Sequence, residues 1–171
     1  MSKPAYRMVE EPYCGKFSLS PKDGLPAHIG SDGATMCIVL FVPTRQGNAI
    51  VGHIDSKFLI KKDSGPAFDR LVADAEKRIR SYLGTDTVDP KAKWVITDNA
   101  DKKFGKAVRL GVQKATGLRP ETLATKQRDG FMIKVTNGKP SGIVWATGNG
   151  IPGYSQLPVK CATTWTNTIE A

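Results

Sequence analysis

Two apolar runs constrain this chain more than any other feature. Cys37-Ile-Val-Leu-Phe-Val42 and Ala49-Ile-Val-Gly-His-Ile54 are joined through Pro43-Thr-Arg-Gln-Gly47. Each run has the length and the β-branched content of a strand, and the Pro/Gly-containing connection is turn chemistry. Apolar residues occupy both faces of both strands, so the pair reads as a buried central hairpin rather than a half-exposed one.

The remaining elements arrange themselves around that hairpin. Residues 1–16 carry Pro4 and Pro12 without a clear period and read as an irregular or edge segment. A short strand around Lys16–Ser20 precedes the turn Pro21-Lys-Asp-Gly24. A helix is predicted over Pro66–Leu83, with Ser64 or Gly65 as its cap and Gly84 as its stop. Its core stripe is Phe68, Leu71, Val72, Ala75, Ile79 and Tyr82, and its Arg70, Lys77, Arg78 and Arg80 form a solvated face. Lys93–Thr97 reads as a strand. A second helix runs over Asp101–Thr116, burying Phe104, Val108, Val112 and Ala115, with Gly117 ending it. A meander follows, with strands at Thr122–Arg128, Phe131–Thr136, Gly142–Ala146 and Val159–Thr164, and turns at Asp129-Gly130 and Asn137-Gly138. Strands and helices mix without strict alternation, which gives an α+β class: an antiparallel-rich mixed sheet or sandwich core flanked by two main helices, in one domain spanning 1–171.

Composition narrows the function. The longest apolar run is six residues, far below the roughly 20 that a membrane helix needs, and the N-terminal Met1-Ser-Lys-Pro-Ala-Tyr-Arg7 lacks the apolar stretch of a secretory signal. The expectation is a monomer made in the cytoplasm, with delivery to another cell as an effector left open. Three widely spaced cysteines (Cys14, Cys37, Cys161) and two histidines argue against a disulfide framework or a zinc site, so no metal or cofactor is expected. The net charge of +9 favours an acidic partner, although the Lys and Arg residues are scattered and also serve solubility.

The chemistry concentrates around the hairpin. A thiol becomes a useful nucleophile when an imidazole stands within hydrogen-bond reach. A symmetric turn centred near Arg45 pairs positions that sum to ninety, so Cys37 is expected to face His53, with Cβ atoms about 5 Å apart. A slip of one residue would send the two side chains to opposite faces. Ahead of Cys37, Gly30, Gly33 and Ala34 permit a tight loop. Backbone N–H groups of Gly33, Ala34, Thr35 and Met36 are candidates for an oxyanion hole. Ser31, Asp32 and Thr35, with Asp55 beyond the hairpin, offer oxygens able to orient His53. His28, Cys14 and Cys161 read as structural, as do Trp94, Trp145 and Trp165.

The stretch Ser20-Pro-Lys-Asp-Gly24, then Gly30-Ser-Asp-Gly-Ala-Thr-Met-Cys37, then His53-Ile-Asp55 resembles protein N-terminal asparagine amidohydrolase. More distantly it is similar to the chemotaxis receptor glutamine deamidase and to deamidating toxins of the cytotoxic necrotizing factor and Burkholderia lethal factor type. The likeness spans residues 18–55. It implies Cys37 as nucleophile, His53 as base and Ser31 as orienting residue, at a position six residues before the cysteine where several relatives carry Thr. It also implies a mixed β-sandwich flanked by helices.

The resulting expectation is a cysteine amidohydrolase that deamidates a Gln or Asn side chain of a protein substrate, without a cofactor. A thiol peptidase or transglutaminase would use the same pair. A basic nucleic-acid-binding module with structural Cys37 and His53 is the other alternative. Its contiguous basic face with exposed aromatics is not visible in the sequence, so a nucleic-acid partner is not expected.

Overall fold

The computed structural model describes residues 2–34, 37–55, 65–97, 102–120 and 129–166. Its strands are β1 (Ala5–Val9), β2 (Cys14–Ser18), β3 (Ile29–Ser31), β4 (Ile38–Pro43), β5 (Asn48–Ile54), β6 (Val95–Ile96), β7 (Phe131–Thr136), β8 (Lys139–Trp145) and β9 (Ser155–Val159). Helix α1 (Gly65–Leu83) lies between β5 and β6, and α2 (Lys102–Thr116) between β6 and β7. The class is α+β. A four-stranded antiparallel sheet has the order β2-β5-β4-β6, and a five-stranded sheet the order β8-β7-β3-β1-β9, in which β1 runs parallel to β3 and β9.

The doubly apolar hairpin is explained by layering. Ile38, Leu40, Val42, Ile50 and Ile54 point from one face of the four-stranded sheet into a core shared with Leu71, Val72, Ala75 and Ile79 of α1 and Phe104, Val108 and Val112 of α2. Alternate residues Cys37, Val39, Phe41, Ala49 and Val51 point the other way, against Ile29, Phe131, Ile133 and Val135 of the five-stranded sheet. Strand periodicity of two thus serves two cores at once. The helices approach closely at Gly111, where an added Cβ would stand 2.5 Å from Ala75 Cβ and 2.6 Å from the Val72 carbonyl oxygen. Among the described residues, no helix is long and apolar enough to cross a membrane.

Two expectations change. Residues 5–9 form β1, enclosed between β3 and β9, rather than an irregular segment. Its pattern is obscured by Arg7, which is buried and donates from Nη2 to the Ala27 carbonyl at 3.0 Å. The last strand is Ser155–Val159, not Val159–Thr164; as the edge of its sheet it accommodates Pro158. The expected strand Thr122–Arg128 lies outside the described residues.

Candidate active site

The hairpin register places the site. Pro43 pairs with Ala49 and Val39 with His53, so paired positions sum to ninety-two and the turn centres on Gln46 rather than Arg45. The Thr44 amide donates to the Asn48 carbonyl at 2.8 Å, and Gly47 takes φ 79°. This is a three-residue loop closed by a left-handed residue, a conformation glycine adopts without strain. His53 therefore stands opposite Val39, and Cys37 lies one pair further along the same face. The expected direct pairing of Cys37 with His53 is corrected to a diagonal one. Because the offset is two residues, the face is preserved.

Ser31 arrives from the facing sheet. Gly30 permits this: a Cβ there would lie 2.0 Å from the Phe131 carbonyl oxygen on β7. Strand alternation then turns Ser31, with no exposed surface, into the space between the sheets. Its Oγ donates to the Val9 carbonyl at 2.7 Å and lies 2.8 Å from His53 Nδ1. A hydroxyl has one proton, and the Val9 carbonyl can only accept it. Ser31 Oγ must therefore accept from His53 Nδ1–H, which fixes the tautomer and leaves the lone pair on Nε2. That nitrogen is buried and has no hydrogen-bond partner among the described residues.

Cys37 Sγ, a ring nitrogen of His53 and a carboxylate oxygen of Glu11 lie within 4.8 Å of one another. Cys37 and His53 are 5% and 4% exposed. Glu11 sits in the β1–β2 connection, which is tied down by the His53 amide donating to the Tyr13 carbonyl (2.9 Å) and the Trp165 amide donating to that of Pro12 (2.8 Å). No local motif marks Glu11; only the assembled fold brings it to the thiol.

Burial holds the His53 imidazole below its ordinary pKa, and the negative charges of Glu11, Asp32 and Asp55 oppose that shift. Desolvation is the larger effect, so the ring is neutral near pH 7 and able to take a proton.

The other candidates separate. Asp32 follows Ser31 but engages Tyr6 Oη at 2.5 Å and Gln156 Nε2 at 2.7 and 2.8 Å; it reaches His53 by charge alone. Asp55 is buried, its amide donating to the Trp165 carbonyl at 3.0 Å, and it too acts on His53 through charge. Gly33 adopts φ 71° with open space around it. The Ala34 amide donates to the Asp129 carbonyl at 2.9 Å, which removes it from the oxyanion-hole candidates. Thr35 and Met36 lie outside the described residues. His28 Nδ1 accepts from the Val135 amide at 2.9 Å, a structural role. Cys14 is buried on the helix-facing side of its sheet, and burial pushes its thiol pKa far up. No protein-family model and no curated protein matches the chain.

Proposed function

We propose that this chain is a cysteine-dependent amidohydrolase that converts a Gln or Asn carboxamide on a protein to a carboxylate. The observation that carries the reading is the Val9–Ser31–His53 hydrogen-bond chain, which leaves Nε2 without a hydrogen-bond partner among the described residues, on a histidine with a ring nitrogen within 4.8 Å of the Cys37 thiol. His53 Nε2 takes the Cys37 proton as Sγ attacks the carboxamide carbon. The tetrahedral oxyanion needs backbone N–H donors, and of the four loop candidates Gly33 is the one that remains among the described residues. The imidazolium returns its proton to the departing nitrogen, ammonia leaves, and a thioester remains. Water, deprotonated by the same imidazole, hydrolyses the thioester to the carboxylate and restores the thiol. The resemblance over residues 18–55 supports the same roles for Cys37, His53 and Ser31. The +9 charge favours an acidic protein as substrate, and delivery to another cell as an effector is compatible with that choice.

The test is ammonia release from a panel of acidic proteins, with mass mapping of each product, comparing wild type with Cys37→Ser. Ammonia release with carboxamide-to-carboxylate conversion, lost in the variant, is the expected result. Chain cleavage would make the enzyme a peptidase, and incorporation of an added primary amine would make it a transglutaminase. Equal turnover by Cys37→Ser would overturn the nucleophile.

A further inference from the structure

We propose that Glu11, Cys37 and His53 also form a binding site for one zinc ion, which reversibly caps the nucleophile. The ligands are of three kinds, a thiol, an imidazole and a carboxylate, and their donor atoms already lie within 4.8 Å of one another. Zinc bonds to such ligands are about 2.0–2.3 Å long, which puts tetrahedral donors roughly 3.5 Å apart. Binding requires side-chain rotations that close the set to that spacing. Three protein ligands leave a fourth position for water.

An independent observation points the same way. His53 is nine-tenths buried or more, and its Nε2 has no hydrogen-bond partner among the described residues, while Nδ1–H is committed to Ser31. A histidine bound to zinc characteristically donates its second ring N–H to a neighbour that fixes its orientation. Ser31 fills that place as well as it fills the one described for proton transfer. Charge also balances: a thiolate and a carboxylate together neutralise a divalent cation, so the occupied site carries no net charge into a buried space. Binding releases the thiol proton to solvent and forms a Zn–S bond in its place. Sulfur and nitrogen donors favour zinc over magnesium or calcium, which take oxygen sets. Sequence spacing hides such a site, because residues 11, 37 and 53 come from three separate segments.

Binding itself does not depend on the enzymatic assignment; capping as a form of inhibition rests on the amidohydrolase reading. The experiment titrates the full chain, stripped with a chelator, with zinc in competition with a chromophoric chelator. Iodoacetamide labelling of Cys37, read by mass mapping, is followed in parallel. One equivalent is expected to bind and to protect Cys37 from alkylation. Cys37→Ala and His53→Ala should lose the site, Glu11→Gln should weaken it, and Ser31→Ala should weaken it by about 10- to 100-fold. Cys14→Ala and Cys161→Ala should bind as wild type does. Circular dichroism identifies any unfolded variant, and Glu11→Gln, in a connecting segment, decides the question if a core variant fails to fold. Unchanged affinity in the ligand variants, or undiminished alkylation at saturating zinc, would overturn the site. Zinc binding without ammonia release from any substrate keeps the site and removes the amidohydrolase reading; ammonia release without zinc binding does the reverse.

Discussion

Replacing Ser31 by alanine separates orientation from packing. The wild-type hydroxyl has two partners, the Val9 carbonyl at 2.7 Å and His53 Nδ1 at 2.8 Å, in a position with no exposed surface. Ser31→Ala leaves an acceptor and a donor buried without partners, at about 1–3 kcal/mol each. At about 2–4 °C per kcal/mol for a chain of this size, the melting temperature should fall by on the order of 10 °C. Catalysis should suffer separately. Without an acceptor at Nδ1, the imidazole proton redistributes to Nε2 and the ring rotates more freely, so kcat should drop about 10- to 100-fold, equivalent to about 1.4–2.8 kcal/mol. Ser31→Thr restores the hydroxyl and should recover most of the turnover. Its extra methyl enters a filled space, so its stability should remain lowered, by about 1–3 kcal/mol of overpacking. The assays are ammonia release well below the transition and Cys37 alkylation against pH. Wild-type turnover and an unchanged alkylation profile in Ser31→Ala would refute the relay, whatever happened to stability.

The pH dependence of kcat/KM in chelator-treated protein should show an acid limb below the ordinary histidine value of about 6.5, because burial lowers the pKa of His53 and the base works only when neutral. Glu11→Gln removes a negative charge that raises that pKa, so its limb should move further down; an upward move would contradict the assignment. Cys37→Ala should abolish ammonia release while Cys14→Ala and Cys161→Ala retain it, since Cys14 faces the helices and Cys161 lies outside both sheets; catalysis lost in a folded Cys14 or Cys161 variant would name the wrong thiol. Gly30→Ala should melt lower than Ser31→Ala, because its Cβ would meet the backbone of Phe131 at 2.0 Å and part β3 from β7; a wild-type melting curve by circular dichroism would show that the approach is not needed.

Where local chemistry decides the structure, the sequence is legible. Asn137 and Gly138 take φ 53° and 74° at the β7–β8 turn, the left-handed pair that an Asn-Gly hairpin requires. Gly84 and Gly117 end their helices in the same conformation, and the stripes of α1 and α2 face the core as their periodicity indicates. The central hairpin is visible in the apolar pattern, but its centre is displaced by one residue, because Gly47 rather than Gln46 takes the left-handed position that sets the loop length. β1 and β3 are hidden: Arg7 breaks the apolar pattern of one, and Gly30-Ser-Asp-Gly33 reads as turn composition although its first half is a strand. Ser31 is marked by resemblance, yet its bond to Val9 depends on the parallel β1–β3 pairing, which no local pattern encodes. Glu11 escapes sequence reading for the same reason, since its position follows from contacts of the β1–β2 connection with β5 and the chain near Trp165.

The choice of a hydroxyl rather than a carboxylate beside His53 has a physical consequence. A carboxylate hydrogen-bonded to Nδ1 would favour a standing imidazolium, and a buried ion pair costs several kcal/mol in desolvation unless it is fully hydrogen-bonded. Ser31 holds the ring without adding charge, so in the proposed reaction the imidazole would stay neutral until it accepted the thiol proton. The negative charges of Glu11, Asp32 and Asp55 then favour the imidazolium from a distance, at the moment it forms. Those same charges oppose the oxyanion of the tetrahedral intermediate. In the proposed reaction its stabilisation would therefore have to come from backbone N–H groups rather than from the electrostatics of the side chains around His53. The negative potential that assists the imidazolium would equally draw in a divalent cation. The proposed zinc capping and the proposed proton transfer would thus make opposite use of one arrangement: Ser31 fixes the ring, Nε2 offers the lone pair, and either the Cys37 proton or the metal would take it.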